Sequence, residues 1–228
     1  MSKFSLVVFD IAGTTVRDKG NVAEAFVKAF EQSELSIPST EVNKVMGWRK
    51  KDAIKMLLQQ YHQQTEIKEA EMIEKIHTDF IRNMINFYEN DADLQPLPFT
   101  EKLFSTLKTN GVKVALNTGF TKAITDVILD KLNWKAGVQI DAVISSDEVP
   151  LGRPHPFMIE QLMYQCGVND SLLVAKVGDT EVDVLEGRKA GCGLVVSITT
   201  GAYTREQLAQ YQPDKIIDSL DELPALIL

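Results

Sequence analysis

The sequence predicts an α/β fold: a Rossmann-like parallel sheet core with an inserted all-helical cap domain. Three observations carry this. An apolar run, Phe4 to Phe9, ends at Asp10 and leads straight into the small-residue loop Ala12-Gly13-Thr14-Thr15. A long helical block follows, with no strand in it. Beyond a proline-containing stretch, short apolar runs alternate with amphipathic segments, and strands alternating with helices imply parallel pairing.

The first run is short, apolar and flanked by polar residues, which reads as a buried strand. From about Asn21 to Tyr88 the period is helical. Val22, Phe26, Ala29 and Phe30 share a face, and Asn21 with Glu24 has the spacing of a capping box. Ile54, Leu57, Leu58 and Tyr61 make a second stripe, and Ile73, Ile76, Phe80, Met84 and Tyr88 a third. Four or five helices are expected. Pro96 and Pro98 cannot continue a helix and mark a linker. After it, helices are expected at 101–109, 122–132, 156–166 and 182–190, and strands at 112–117, 142–145, 172–177 and 194–198. The lone first strand belongs with this later region. The expected core therefore comprises residues 1–16 and 97–228, and the cap residues 17–96.

A chain of 228 residues allows one large domain, or one domain with an insertion. Its 24 Lys and Arg against 32 Asp and Glu give a net charge of −8, which speaks against nucleic acid as a partner. No apolar run approaches bilayer length, so no membrane partner is expected. The N-terminus meets a charge after a few apolar residues and reads as a strand, not a signal peptide. Cys166 and Cys192 imply no disulfide framework, and a cytoplasmic location is the default expectation. His62, His77 and His155 are too scattered for a zinc site. A divalent ion would be held by carboxylates, which favours magnesium. Apolar surface on the cap could mediate a homodimer.

In an open parallel sheet, ligands sit at the carboxyl ends of the strands. Those ends supply Asp10, Thr118 with Gly119, and Gly178-Asp179-Thr180 with Asp183, while Arg153 follows on a loop. Carboxylates converging there repel unless a cation sits between them, so Asp10, Asp179 and Asp183 are best explained by magnesium. The alternative for the last two is that of ordinary acids at a helix start. Thr118 could donate to a phosphate oxygen, and Arg153 could balance the anionic charge. His155 could be an acid–base group or a loop-packing residue.

Four signposts, Asp10-Ile11-Ala12-Gly13-Thr14-Thr15, Asn117-Thr118-Gly119, Gly152-Arg153-Pro154 and Gly178-Asp179-Thr180-x-x-Asp183, resemble those of the haloacid dehalogenase superfamily of hydrolases, over nearly the whole chain. The resemblance implies that Asp10 is a nucleophile forming an aspartyl-phosphate. It also implies magnesium bound by Asp10, the carbonyl of Ala12 and Asp179, with Asp183 in support. Most phosphatases of this superfamily carry a second aspartate where this chain has Ala12. The pattern with alanine, and arginine in the Gly-Arg-Pro loop, resembles the phosphonatase (phosphonoacetaldehyde hydrolase) branch. That branch forms a Schiff base between a cap lysine and an aldehyde. Met46-Gly47-Trp48-Arg49-Lys50 puts Lys50 at the matching position and Trp48 beside it as a candidate pocket residue.

The chain also departs from the branch. Ala53 stands for a histidine, Phe120 for a tyrosine and Gly20 for a cysteine. The reading implied is hydrolysis of a small aldehyde-bearing phosphonate at its phosphorus–carbon bond. Asp10 is then the nucleophile and Lys50 the imine former, while Thr118, Gly119 and Arg153 clamp the phosphoryl group. Two alternatives stay open: a phosphatase acting on a small phosphomonoester, similar to phosphoglycolate phosphatases, and a non-catalytic phosphate-binding domain. Lys50 itself could belong to a solvated basic face with Arg49, Lys51 and Lys55.

Overall fold

A computed structural model describes residues 2–62 and 66–228 of the chain. Residues 63–65 of the expected helical block lie outside that description. The first strand, β1 (Leu6–Phe9), is buried along its whole length. It joins β2 (Lys113–Thr118), β3 (Ala142–Ser145), β4 (Val174–Gly178), β5 (Leu194–Ile198) and β6 (Lys215–Ile217) in one sheet, ordered β3-β2-β1-β4-β5-β6. Every pairing is parallel. Parallel sheets are covered on both faces, which is why β1 reads as unbroken Leu-Val-Val-Phe rather than alternating. Its side chains still divide by pleat. Val7 and Phe9 join one core with Val114, Leu116 and Phe104, while Leu6 and Val8 join the other with Ala115, Ile144 and Met158.

Between β1 and β2 lie α1 (Asn21–Glu31), α2 (Ser39–Asn43), α3 (Lys50–Tyr61), α4 (Glu66–Asn90) and α5 (Thr100–Thr109). In α1, Val22, Ala25, Phe26, Ala29 and Phe30 are buried, one face of a 3.6-residue period. In α4, Ile76, Phe80, Met84 and Tyr88 recur every fourth residue and are likewise buried. The helices α6 (Lys122–Leu132), α7 (Phe157–Cys166), α8 (Glu181–Lys189), α9 (Arg205–Ala209) and α10 (Pro224–Ile227) complete the chain. Among the described residues no helix is long and apolar enough to cross a membrane, and both cysteines are free.

Three local expectations are corrected. Asn21 and Glu24 do not form a capping box: the cap position of α1 is Gly20, at φ 92°, with no side-chain cap of its own. Instead Asp18 Oδ1 accepts from the backbone N–H of Gly20 and of Asn21. A short carboxylate two residues upstream reaches those donors more directly than the expected reciprocal pair. Second, β4 starts at Val174 and not at Leu172, because Ser171–Leu173 winds into a 3-10 turn capped by Asp170. Third, β6 was not foreseen; three residues carry too little pattern to register as a strand.

Candidate active site

The strand order changes direction between β1 and β4, and the crevice at their carboxyl ends is where an open α/β sheet receives ligands. Asp10 follows β1 directly, with its N–H donating to Val177 O at 2.9 Å. The loop after it is tied down locally: Thr15 Oγ1 donates to Asp10 O at 2.9 Å, and Thr200 Oγ1 to Gly13 O at 2.7 Å. Asp179 follows β4. Its oxygens accept from Thr14 Oγ1 at 3.1 Å and from the N–H of Ala202 at 2.7 Å. Both carboxyls are held above their ordinary range, first by burial and then, for Asp179, by the charges of Asp10 and Asp183. For Asp10, burial outweighs the opposing pull of Arg153.

A cavity of about 30 Å³ opens on these groups. Asp10, Ala12, Asp18, Lys50, Thr118, Gly119, Phe120 and Asp179 line it, drawn from β1, β2, β4 and the helical block. Thr118 is 3 % exposed, and its Oγ1 accepts from the N–H of Phe120 at 3.1 Å, leaving its own proton to donate. Thus Asp10, Ala12, Lys50, Thr118, Gly119 and Asp179 meet around one small space, although they are scattered along the chain.

Three expected site residues are placed differently. Arg153 is fully buried behind Asp10 and does not line the cavity. Its Nη1 donates to Asp10 Oδ1 at 2.6 Å, its Nε to Glu186 at 3.1 Å and its Nη2 to Asn117 O at 2.8 Å. With its donors engaged in this way, it holds the Asp10 carboxylate in position and is not an open anion clamp. Asp183 also has both oxygens in use. One faces Lys176 at 2.9 Å and Arg153 at 3.1 Å, and the other accepts from Thr180 Oγ1 at 2.6 Å. Burial raises the Asp183 carboxyl, but Arg153, Lys176 and Thr180 outweigh it and hold the group below its usual range. Asp183 also closes a capping box with Thr180 at the start of α8, so the helix-start reading and the site reading describe one residue. Trp48 points its indole N–H into a buried place with no hydrogen-bond partner among the described residues, and it is not part of the cavity wall. Its backbone carbonyl, with that of Gly47, abuts Gly119 so closely that a Cβ there would clash. His155 stacks on Phe157 at 6.0 Å, away from the cavity.

Lys176, Glu186 and Asn117 form a buried layer that the sequence reading missed. Lys176 donates to Asn117 Oδ1 at 2.7 Å, and Asn117 Nδ2 to both Glu186 oxygens at 2.9 Å. The signal was present: a lysine within the apolar run of β4 can be buried only with partners, and Glu186 lies one helical turn beyond Asp183.

The residues fit a hard divalent cation. Four buried carboxylates (Asp10, Asp179, Asp183, Glu186) stand against three buried basic side chains (Arg153, Lys176, Lys50), an excess of one acidic group. The Ala12 carbonyl accepts no backbone hydrogen bond among the described residues, since the loop turns through Ile11 O and Val16 O instead. Among the described residues no three His, Cys, Asp or Glu side chains group as a metal cluster. Two carboxylates with one carbonyl is the sparse oxygen set that suits magnesium, which keeps waters and substrate oxygens in its shell.

Lys50 is 3 % exposed and stands apart from its exposed neighbour Lys51, which pairs with Glu74. The solvated-face alternative therefore fails for Lys50. Its ammonium sits among three rings, 5.1 Å from Phe120, 5.5 Å from Phe26 and 6.0 Å from Phe80. Burial pulls its pKa down to about 8, against the opposing charge of Asp10. The drop from 10.5 to about 8 is worth about 3 kcal/mol. Cation–π attraction, typically ~0.5–2 kcal/mol, works the other way and is outweighed.

The described geometry belongs to a hydrolase of known architecture. Residues 4–191 match the model of the haloacid dehalogenase-like hydrolase family, and the chain belongs to that family. Within it, the chain is 28% identical over 231 residues to a phosphonoacetaldehyde hydrolase of Bacillus mycoides (strain KBAB4), covering 96% of this chain and 86% of the relative. It is 29% identical to a phosphonoacetaldehyde hydrolase of Bacillus cereus (strain ATCC 14579), covering 97% and 83%. Two solved structures share the fold. A phosphonoacetaldehyde hydrolase-like protein from Oleispira antarctica superposes with a TM-score of 0.82 at 21% identity, over 98% of this chain and 91% of that one. A predicted phosphoglycolate phosphatase from Haemophilus somnus gives 0.76 at 20% identity, over 99% of both. The chain is thus an enzyme, which sets aside the non-catalytic alternative.

Proposed function

We propose that this enzyme is a magnesium-dependent, phosphonatase-like hydrolase that cleaves the phosphorus–carbon bond of a small aldehyde-bearing phosphonate. In this reading residues 17–96 are a cap over a core of residues 1–16 and 97–228. Asp10, the Ala12 carbonyl and Asp179, with Asp183 behind them, would hold magnesium, which would supply the positive charge that lets a carboxylate approach an anionic phosphonate. Arg153 fixes Asp10 Oδ1, so the other oxygen is the attacking one. Thr118 donates its hydroxyl proton to a phosphoryl oxygen, and the Gly119 backbone lines the same wall. Lys50, neutral, adds to the aldehyde carbon, and water leaves to give an iminium. The iminium draws the phosphorus–carbon electron pair into an enamine as Asp10 takes the phosphorus; water then hydrolyses the aspartyl-phosphate to free phosphate, and the enamine, protonated at carbon, is hydrolysed to the aldehyde and free Lys50. No acid at residue 12 is then required for a leaving oxygen.

One observation carries this reading: a buried lysine with a lowered pKa opens onto the cavity that also holds Asp10. With a pKa of about 8, roughly a tenth of the lysine is neutral at pH 7, about 300 times the share of an ordinary lysine. The test is borohydride reduction in the presence of phosphonoacetaldehyde. Wild type should gain an ethyl group on Lys50 and lose activity, and Lys50→Arg should gain nothing. Absence of an adduct on wild type, with turnover of small phosphomonoesters, would establish the phosphatase reading instead, with Lys50 acting as a cation.

A further inference from the structure

Imine chemistry at Lys50 has a proton requirement that the residues assigned above do not meet. A hydroxyl must leave the carbinolamine as water, and Ala12 offers no acid. Asp18 lines the same cavity as Lys50 and Asp10. It lies on the loop between β1 and α1, fixed by bonds of 3.0 Å from Gly20 N–H and 2.9 Å from Asn21 N–H to Oδ1. Lys50 and Asp18 feel each other's charge, yet no ion pair within 4.0 Å joins them among the described residues. A carboxyl and an amine thus line one small cavity, each within electrostatic reach of the other.

Resting on the imine reading of Lys50, we propose that Asp18 is the acid–base catalytic residue of this pocket. Lys50 nitrogen bonds to the aldehyde carbon, and the carbonyl oxygen takes up the proton the nitrogen sheds. The Asp18 carboxylic acid then donates its proton to that hydroxyl as the carbon–oxygen bond breaks. Water, an iminium and the Asp18 carboxylate result. After phosphorus–carbon cleavage the enamine takes a proton from water at its terminal carbon and becomes an iminium again; when a water adds to that iminium to release the aldehyde, Asp18 recovers its proton. Burial holds the Asp18 carboxyl above its ordinary range, against the Gly20 and Asn21 N–H groups and the Lys50 charge, which suits a proton donor. The titratable groups facing it are Lys50 from α3, Tyr88 from α4, and Asp10 and Asp179 across the same cavity. The Tyr88 phenol is itself raised by burial, Asp18 and Asp10 and stays protonated.

Asp18 also caps α1, so the test separates the two roles. Asn and Ser keep a side-chain oxygen for the Gly20 and Asn21 donors but cannot donate a carboxylic proton. The rate of borohydride-trapped adduct formation on Lys50, with phosphonoacetaldehyde and the full-length protein, should fall at least ~100-fold in Asp18→Asn, with the melting temperature unchanged. Asp18→Glu should recover part of the rate. In wild type the trapping rate should rise and then fall with pH. In Asp18→Asn the falling alkaline limb should disappear, leaving only the rise as Lys50 loses its proton. A wild-type trapping rate in Asp18→Asn would overturn the proposal and leave Asp18 as a helix cap. Should both cap-keeping variants melt early, the wild-type profile decides: a rate that never falls at alkaline pH overturns it. Failure of wild type to form any adduct removes the imine reading itself, and this proposal with it.

Discussion

At the scale of single residues, the pocket is a problem in electrostatics. Asp10 and Asp179 are both buried and both held above their ordinary pKa, while Lys50 is held below its own. The proposed roles give each a distinct signature. Asp10→Asn keeps the size of the side chain and an oxygen to accept from Arg153 but lacks the nucleophilic carboxylate; phosphate release should drop more than about a thousand-fold. Undiminished release would remove Asp10 from the chemistry. Lys50 sets the pH response. Its reactive form is the neutral amine, which accumulates as pH rises toward about 8. In Asp18→Asn, where no second group titrates in the step, imine trapping should therefore climb about tenfold per pH unit below that value, and adding Phe120→Ala, which lets water reach the amine, should move the curve to higher pH. A flat response in that variant between about pH 6 and 8 would mean that the amine does not titrate in the step measured.

At the scale of elements, β4 and α8 build the floor. Lys176 on β4 and Asp183 and Glu186 on α8 lock with Arg153 and Asn117 into a buried ionic layer. Its members partner one another, so removing one leaves the others buried and uncompensated. Glu186→Gln removes the carboxylate that Arg153 Nε and Lys176 share. It should lower stability by about 3–5 kcal/mol, read from denaturant unfolding. A change below ~1 kcal/mol would mean that the layer relaxes or admits water. The opposite wall depends on close approach between segments. Gly47, at φ +79°, presses against Thr180 and Val182, where a side chain would meet Thr180 Oγ1. The start of α8 and the loop before α3 therefore meet with no side chain interposed.

At the scale of the molecule, the helical block and the sheet close together around the Lys50 amine. The rings around Lys50 come from both: Phe26 and Phe80 from the helical block, Phe120 from the loop after β2. Burial of the amine is therefore a property of the assembled pair, and water is excluded only when they are together. The same holds for charge. Because the folded pKa values of Asp10 and Asp179 are raised, their contribution to stability is present in acid and lost as pH rises through those values. At neutral pH without a divalent ion, the two carboxylates oppose the fold. Magnesium should raise the melting temperature at pH 7, by about 2.7 kcal/mol of stability at a hundred times its Kd, with the gain shrinking in acid. Chelation should abolish turnover. A melting temperature indifferent to magnesium at neutral pH would contradict the assignment.

Five of the six strands, the longer helices and the order of the polar residues at the strand ends are legible in the amino-acid order alone; β6 and the short helices α9 and α10 are not. Buried parallel strands must be continuous apolar runs and helices must repeat near 3.6 residues, so Ala142–Ser145, Lys122–Leu132 and Leu194–Ile198 could be read off locally. The signposts Asp10, Thr118 and Asp179 were legible for the same reason: each directly ends or follows a strand. What the tertiary structure decided is environment. Arg153 meets Asp10 across 143 residues of chain, and Lys176 finds Asn117 across 59. Neither distance is encoded in local spacing. Lys50, in a run of basic residues, could by local pattern be surface until Phe26, Phe80 and Phe120 close around it, and nothing in the local sequence singles out Asp18, which only the folded chain brings to the cavity. Desolvation and charge pairing depend on which segments are brought together, and only the folded chain fixes that.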